Sequence, residues 1–283
     1  MINLQYYLPF SAAALGFIIA GPARAEPFLF SNGNPDGKIA TLSRQASPGK
    51  LETETADDFV TTTNTLITGA TFTGLLVGGA TPANVANVEI ELYKVFPLDS
   101  ANPPSGRVIA RANSPSDNNF AAADGRLGDL SFSTTVLNSR FTAANSVVNG
   151  INPLPSQFTG GEGPVTGQEV QVNISFTTPF SLGPDHVFFR PEVDLGGAGD
   201  FLWLSAPRPI VAPGTPFAGD LQSWIRNDGP GTLFPDWERI GTDVTGQGPF
   251  NAAFSLTGTT VPEPASLALL GVGLLATGLM RRR

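Results

Sequence analysis

Two glutamates on one predicted strand are spaced for acid–base chemistry. Glu89 and Glu91 alternate with Val88, Ile90 and Leu92, so both carboxylates lie on the same strand face, about 7 Å apart. Many glycosidases cleave sugars with two carboxyl groups at a separation of this order. The same alternation is also typical of an ordinary solvated strand face, and we favour that second interpretation.

The single histidine, His186, has no identifiable catalytic partner. It follows Pro184-Asp185 and precedes a predicted strand that begins at Val187, which is typical of a turn residue. A catalytic triad also needs a nucleophile and an orienting acid. The acidic pairs at 52/54 and 57/58 are predicted to be surface residues. Gly-x-Ser-x-Gly, His-Glu-x-x-His and glycine-rich phosphate loops are absent from the chain, so no enzyme activity is predicted.

The three tryptophans all lie in the last third of the chain. Trp203 sits in an apolar run and is predicted to be a core residue. Trp224 and Trp237 have Asp, Asn and Arg as neighbours in sequence. An indole with polar groups at its edge can stack on a sugar ring. We therefore expect these two residues either to lie in the core, which we favour, or to contact a glycan.

No cofactor is expected, and calcium is the one metal with a conceivable site. The segment 32–37 resembles the start of a calcium loop, but Ser43 stands where the bidentate glutamate belongs. A structural calcium could instead be held by Asp194, Asp200 and the carbonyls of residues 196–199. The chain has no cysteine, which excludes disulfides, thiolate catalysis and zinc–thiolate sites.

The carboxyl end predicts a transmembrane helix. Residues 265–280 carry no charge, and a helix of that length spans about 24 Å, a little under the ~30 Å hydrocarbon core. Arg281, Arg282 and Arg283 follow at once and predict a cytoplasmic end, because arginines are retained on that side. The other interpretation is a buried helix of a soluble domain, but such helices are rarely apolar on every face.

The amino end predicts a secretory signal peptide over residues 1–25. Residues 10–20 are apolar, and Ala23 and Ala25 form a small-x-small cleavage site before Glu26. The first residues contain no Lys or Arg, which departs from the usual pattern. The alternative is an uncleaved anchor, which would need a longer apolar run.

The tripeptide Pro262-Glu263-Pro264 completes a recognisable tail. Its two prolines hold the chain extended just outside the predicted span, as a protease requires. With the span and the basic end, it resembles the PEP-CTERM sorting signal of Gram-negative bacteria. That resemblance implies cleavage by an exosortase, and an association with exopolysaccharide and biofilm. It implies a body in the periplasm, anchored to the inner membrane, and later a place at the cell surface or outside the cell.

The body between these ends is acidic. The whole chain has 24 Asp and Glu against 16 Lys and Arg, a net charge of −8. This charge excludes nucleic acid as a partner and disfavours acidic polysaccharides, because like charges repel. The negative charge does not exclude neutral glycans or divalent cations as partners.

The pattern of the body predicts an all-β fold. Val170, Val172, Ile174 and Phe176 alternate with polar residues, which is typical of a half-buried strand. The candidate strands are 58–62, 68–77, 88–92, 107–111, 130–136, 169–177, 187–195, 201–205, 222–226 and 251–258. Gly and Pro separate them, and one helical turn is predicted at 121–124. The prediction is one antiparallel β-sandwich or jelly roll over 26–258, then a sorting segment over 259–283.

Two functions follow as hypotheses. The first is a non-enzymatic exported sandwich, sorted by an exosortase to the cell surface or matrix; the body is similar to uncharacterised exported proteins that carry this tail. The second is a jelly-roll carbohydrate-active enzyme with paired carboxylates. We favour the first. Two carboxyl groups facing each other across a groove lined by Trp224 or Trp237 would favour the second.

Overall fold

The structure is a computed structural model that describes residues 25–96, 112–148, 159–207 and 221–261. The predicted signal peptide up to residue 24, with Ala23, lies outside the described residues. So do the candidate strand at 107–111, the tripeptide 262–264, the predicted span 265–280 and the arginines 281–283. No helix in the described part of the chain has the length and apolar character needed to cross a membrane.

Fifteen strands make up most of the described chain. They are β1 (Pro27–Ser31), β2 (Ile39–Leu42), β3 (Glu52–Thr61), β4 (Thr65–Val77), β5 (Asn87–Val95), β6 (Pro115–Asp124), β7 (Leu130–Ala143), β8 (Asn145–Val147), β9 (Val165–Leu182), β10 (Asp185–Asp194), β11 (Asp200–Ala206), β12 (Trp224–Asp228), β13 (Glu238–Arg239), β14 (Asn251–Ala252) and β15 (Phe254–Thr260). A 3₁₀ turn at Pro82–Asn84 and a π-helical turn at Ile240–Val244 are the helical pieces among them. The prediction of an all-β fold is confirmed.

The larger sheet has nine strands and is organised around β4. One edge of β4 pairs with β15 and then β11, and its other edge pairs with β9. Beyond β9 lies β7, and beyond β11 lies β2. All these pairs are antiparallel; the pair of β2 with β8 is parallel.

Close packing within this sheet requires a glycine in β4. A Cβ at Gly74 would overlap the Phe201 ring and lie 2.5 Å from the Leu202 carbonyl oxygen. The glycine therefore permits β11 to pair directly alongside β4.

The smaller sheet has six strands in the order β13-β12-β3-β10-β5-β6. Its alternating pattern gives each strand two different faces. Phe59 of β3, Ile90 of β5 and Phe189 of β10 point to the face that meets the larger sheet. The opposite face carries the polar and charged residues of the same strands.

The main core lies between the two sheets. It joins residues of the smaller sheet to residues of the larger one, including Phe72, Val172, Trp203 and Phe254. The Phe189 and Phe254 rings stack across it with centroids 5.1 Å apart. The alternating run at 170–176 contributes its four apolar residues to this core, as the period-two pattern predicts.

Three local predictions are wrong. Residues 121–124 do not form a helical turn, because they continue β6 and pair with β5. Residues 115–120, which no candidate strand included, belong to the same strand. His186 is not a turn residue but the second residue of β10, opposite Val60 of β3. Pairing with neighbouring strands outweighs local turn propensity at each place.

Candidate functional site

Charged side chains gather on the outer face of the six-stranded sheet because strand register aligns them. Arg226 of β12 lies opposite Glu54 of β3, and Arg190 of β10 lies opposite Glu91 of β5. Residues two apart on a strand share a face, which adds Glu52 to the same surface. The result is a row of alternating charge across four neighbouring strands.

These residues form the floor of an open cleft of about 200 Å³. One side is formed by residues 117–119 of β6, and the other by Asp228 at the end of β12 and by Phe234, which follows that strand. The Phe234 ring is 43% exposed at the rim. The full lining is Glu52, Glu54, Glu91, Tyr93, Asp117, Asn118, Asn119, Arg190, Arg226, Asp228 and Phe234.

Arg190 is the centre of the charged cluster. Its Nη2 lies 2.5 Å from Glu91 Oε2 and 3.3 Å from Glu54 Oε1. A longer contact of 3.4 Å reaches Glu52 Oε1. Its Nη1 lies 2.6 Å from Glu192 Oε2, yet neither atom has a partner at hydrogen-bonding geometry. This last contact is therefore an ion pair without a well-aligned hydrogen bond. A single guanidinium neutralises part of the charge of four carboxyl groups.

Arg226 is held rigidly beside it. Its Nε donates to Glu54 Oε2, and its Nη2 lies 3.1 Å from the Tyr93 hydroxyl. The Trp237 and Phe234 rings lie on the guanidinium, with centroids 4.3 Å and 4.9 Å from Cζ. Aromatic rings favour such a cation at their faces.

The acids of the cluster differ in protonation. Burial, reinforced by the charge of Glu54, raises the pKa of Glu52 to about 7, although Arg190 opposes the shift. Burial raises the pKa of Glu192 well above its usual range. Burial also acts to raise the pKa of Glu54, but Arg190 and Arg226 together hold it below its usual value. The cluster thus combines a Glu54 that stays ionised, a Glu52 whose pKa lies near neutral pH, and a Glu192 that holds a proton more readily than usual.

Three acids of the cluster have the spacing of metal ligands. Carboxylate oxygens of Glu52, Glu54 and Glu192 lie within 4.8 Å of one another, the one such group among the described residues. Arg190 already contacts all three. Another cation would lie against a buried guanidinium. The three carboxyl groups are therefore better suited to binding protons than to binding a metal ion.

The carboxylates considered for calcium are paired with basic side chains. Asp200 Oδ1 lies 2.7 Å from Arg44 Nη1 and 3.0 Å from Lys50 Nζ. Asp194 pairs with Arg126. The Gly199 carbonyl, another expected ligand, accepts a hydrogen bond from Lys50. Basic side chains therefore bind the carboxylates and the carbonyl that were considered as calcium ligands.

The two glutamates singled out on β5 have different surroundings. Glu91 lines the cleft and accepts hydrogen bonds from Arg190, Tyr93 and Asn119. Glu89 accepts a 2.6 Å bond from Gln45 and does not line the cleft. Both are half-buried, so the solvated strand face that we favoured is wrong. The cleft offers facing acids, but they are Glu91 and the β3 glutamates.

The tryptophans are core residues, the interpretation that we favoured. Trp203, Trp224 and Trp237 have exposed fractions of 0%, 1% and 0%. Trp224 and Trp237 pack with Tyr93 and Phe188 in a small core on the outer face of the six-stranded sheet. Glycan contact at these indoles requires an exposed ring face, and neither has one. Among the aromatic residues that line the cleft, Phe234 is exposed, whereas Tyr93 is buried.

The acidic pairs of β3 are not surface residues, contrary to expectation. Asp58 is buried, and its Oδ2 lies 2.5 Å from His186 Nε2. Asp57 is buried and accepts hydrogen bonds from Asn32 and Ser223. These contacts join β3 to neighbouring segments.

The sequence pattern did not predict Arg190, Arg226 or Glu54 as site residues. A signal was present, since Arg190 interrupts the apolar run of β10 and Arg226 follows Trp224 and Ile225 in β12. A buried arginine requires a carboxylate partner nearby. The glutamates of β3 were the natural partners, but only the strand order brings them together.

Comparison with known families matches residues 260–283 to the PEP-CTERM protein-sorting motif. Curated proteins and solved structures gave no significant match to the chain. The expected resemblance of the body to other exported proteins is therefore not supported by any matching protein. The motif itself identifies this chain as similar to exported proteins that are targeted to an exosortase and anchored in the membrane before processing.

Proposed function

We propose that the chain is a non-enzymatic protein of the cell surface or extracellular matrix, associated with exopolysaccharide. Its body is a β-sandwich of the jelly-roll kind that an exosortase releases from the inner membrane on the periplasmic side. The sorting motif at residues 260–283 is the observation that carries the export part of this proposal.

The non-enzymatic part rests on how the carboxylates of the cleft are engaged. Glu54 is bound by Arg190 and Arg226, and Glu91 by Arg190, Tyr93 and Asn119. A glycosidase nucleophile or base needs a carboxylate oxygen free to reach the sugar or a water. In this cleft those oxygens are used within the protein, which supports a binding role.

The cleft is suited to a neutral sugar. Guanidinium and amide donors stand beside carboxylate acceptors, the combination that binds neighbouring hydroxyl groups. The exposed face of Phe234 can pack against the apolar side of a sugar ring. Asp117, Asp228 and the glutamates would repel an acidic polysaccharide.

The second candidate is a jelly-roll carbohydrate-active enzyme. One observation favours it: Glu52 has a pKa of about 7 and lies beside the ionised Glu54. A carboxyl group that is half protonated near neutral pH can act as a general acid. On this hypothesis the Glu52→Gln variant would lose hydrolysis of a sugar that the native protein cleaves.

Sorting is tested by mass spectrometry of the exported protein in a host with an exosortase. We expect a carboxyl terminus that lacks residues 265–283. A Pro262→Ala, Pro264→Ala double variant should retain the tail in the membrane fraction. Recovery of an exported form that still ends at Arg283 would contradict processing.

Glycan binding is tested with the processed protein and soluble neutral and acidic polysaccharides, by calorimetry. We expect binding to a neutral polymer, weakened about fivefold by Phe234→Ala, since losing a stacked ring costs roughly 1 kcal/mol. Phe120→Ala is the matched control, because Phe120 is 41% exposed and does not line the cleft. Equal effects of both variants would contradict the assignment of the cleft. Release of reducing ends from a polymer, abolished by Glu52→Gln, would favour the enzyme instead.

A further inference from the structure

The outer strand of the nine-stranded sheet has a free edge over much of its length. β7 pairs with β9 through a register that runs from Leu130–Phe176 to Ala143–Val165. In the described chain, β9 is its one strand neighbour. The backbone donors and acceptors on the other edge of β7 therefore lack a strand partner within the described residues.

The first half of β7 lacks the usual protection of an edge strand. From Leu130 to Val136 the pairing with β9 is regular, and the register shifts begin only after Val136. This segment contains no charged residue and no proline. Natural edge strands are usually blunted by lysines, prolines or bulges, because an unprotected edge is a template for another strand. Ser, Thr, Phe and Val also favour the extended backbone of such a strand.

Apolar side chains are exposed at the end of this segment. Val136 and Leu137 are 44% and 50% exposed; Val136 is the last residue of the regular pairing, and Leu137 lies at the register shift that follows. Contact with another strand would cover part of this surface. Single exposed apolar residues are common, but here they adjoin an unprotected edge.

The segment is complementary to itself. An antiparallel pair with its two-fold axis at Ser133 places Ser131 opposite Thr135 and Phe132 opposite Thr134. Hydroxyl pairs and aromatic–β-branched pairs such as these stabilise neighbouring strands. Leu130 would lie opposite Val136.

The uncharged segment does not oppose pairing with a second copy, and its self-complementarity makes a second copy the partner that fits. The chain has a net charge of −8, so two copies repel over most of their surfaces. The segment from Leu130 to Val136 adds no like charge to a symmetric contact and offers no charge that would select a basic or acidic partner.

We infer that the edges of two β7 strands pair antiparallel about Ser133 and join two copies of this protein into a two-fold symmetric dimer. The larger sheet is then continuous across both copies. The contact uses the same surface on each copy, as a closed dimer requires. A contact made chiefly by one strand is small, so the dimer is weak and depends on concentration.

The test is sedimentation equilibrium of the processed, exported protein over a range from about 1 to about 500 µM, which covers weak association. We expect a reversible monomer–dimer equilibrium. Ser133→Lys places two ammonium groups opposite each other and should raise the dissociation constant at least about tenfold. Thr257→Lys is the matched control, because it adds the same charge at an exposed position of β15, an internal strand of the same sheet.

A second pair of variants separates pairing from misfolding. Mixing Ser133→Lys with Ser133→Glu places opposite charges across the axis, and we expect the mixture to regain dimers that neither variant forms alone. A native protein that remains monomeric at the highest concentration would overturn the proposal. Equal dissociation constants for Ser133→Lys and Thr257→Lys would do the same, as would a failure of the mixture to recover.

Discussion

Arg190 lies directly opposite Glu91 across β10 and β5, and its Nη2 is 2.5 Å from Glu91 Oε2. The same guanidinium reaches Glu54 on β3, the strand on the other side of β10. Arg190 therefore links the three central strands of the smaller sheet on their outer face. Its own exposed fraction is 2%, so its charge depends on these partners rather than on water.

Removing this guanidinium should destabilise the protein strongly. Arg190→Met leaves Glu54, Glu91 and Glu192 without their shared cation, and breaking a buried ion pair costs about 3–5 kcal/mol. The measurement is urea unfolding at pH 7. Arg126→Met is the control, because the Arg126 side chain is 55% exposed in its pair with Asp194, and a pair with an exposed member is worth under about 1 kcal/mol.

A compensating variant tests whether charge causes the loss. Adding Glu91→Gln to Arg190→Met removes one of the carboxylates that has lost its cation, and we expect part of the stability to return. If Arg190→Met costs no more than Arg126→Met, the cluster does not stabilise the sheet.

Stability should fall as pH rises through the range in which Glu52 loses its proton. The folded pKa of about 7 lies above the ordinary value of 4.5. Between these values the folded state binds more protons than the unfolded state, so the free energy of unfolding decreases with rising pH. The contribution of the protonated Glu52 is complete below pH 4.5 and is lost above about pH 7. Glu192, whose pKa is also raised, acts in the same direction.

The Glu52→Gln variant isolates this effect. We expect its urea midpoint to change less between pH 4.5 and 7 than that of the native protein. Glu26→Gln, at an exposed residue, serves as the control and should keep the native slope. An unchanged slope in Glu52→Gln would show that another group binds the proton.

Gly74 should tolerate no side chain. Gly74→Ala places a methyl group against the Phe201 ring and the Leu202 carbonyl, and overpacking of this kind costs about 1–3 kcal/mol. Gly183→Ala is the control, since its nearest neighbour would be Asn64 Oδ1 at 3.7 Å. Thermal unfolding of both variants checks the difference. Similar melting temperatures would mean that β11 can move away from β4 at little cost.

His186 should contribute to stability through Asp58. His186→Ala removes the partner 2.5 Å from a buried carboxylate oxygen, and a loss of about 1–3 kcal/mol is expected. His186→Gln retains a polar side chain and should lose less. Urea unfolding distinguishes the two variants. If both variants bind a neutral glycan with the affinity of the native protein, His186 does not contribute to binding in the cleft.

Local pattern was enough to identify the buried strands. The run from Val170 to Phe176 alternates with a period of two, and such a run can bury only one face. The sorting motif at 260–283 could likewise be predicted from the sequence. It consists of a tripeptide, an apolar segment and arginines that follow one another along the chain. The short strands β1, β2 and β8 were missed, since each gains its extended form from its neighbours.

The charged cleft could not be read from the sequence. Glu54, Arg190 and Arg226 are far apart along the chain, and each taken alone resembles a surface residue. Strand order places β12, β3, β10 and β5 side by side, and register then sets each arginine opposite a glutamate. The sequence by itself determined which residues alternate and where the sorting signal lies. Only the tertiary structure decided which charges meet, because ion pairing depends on distances across strands and not on separation along the chain.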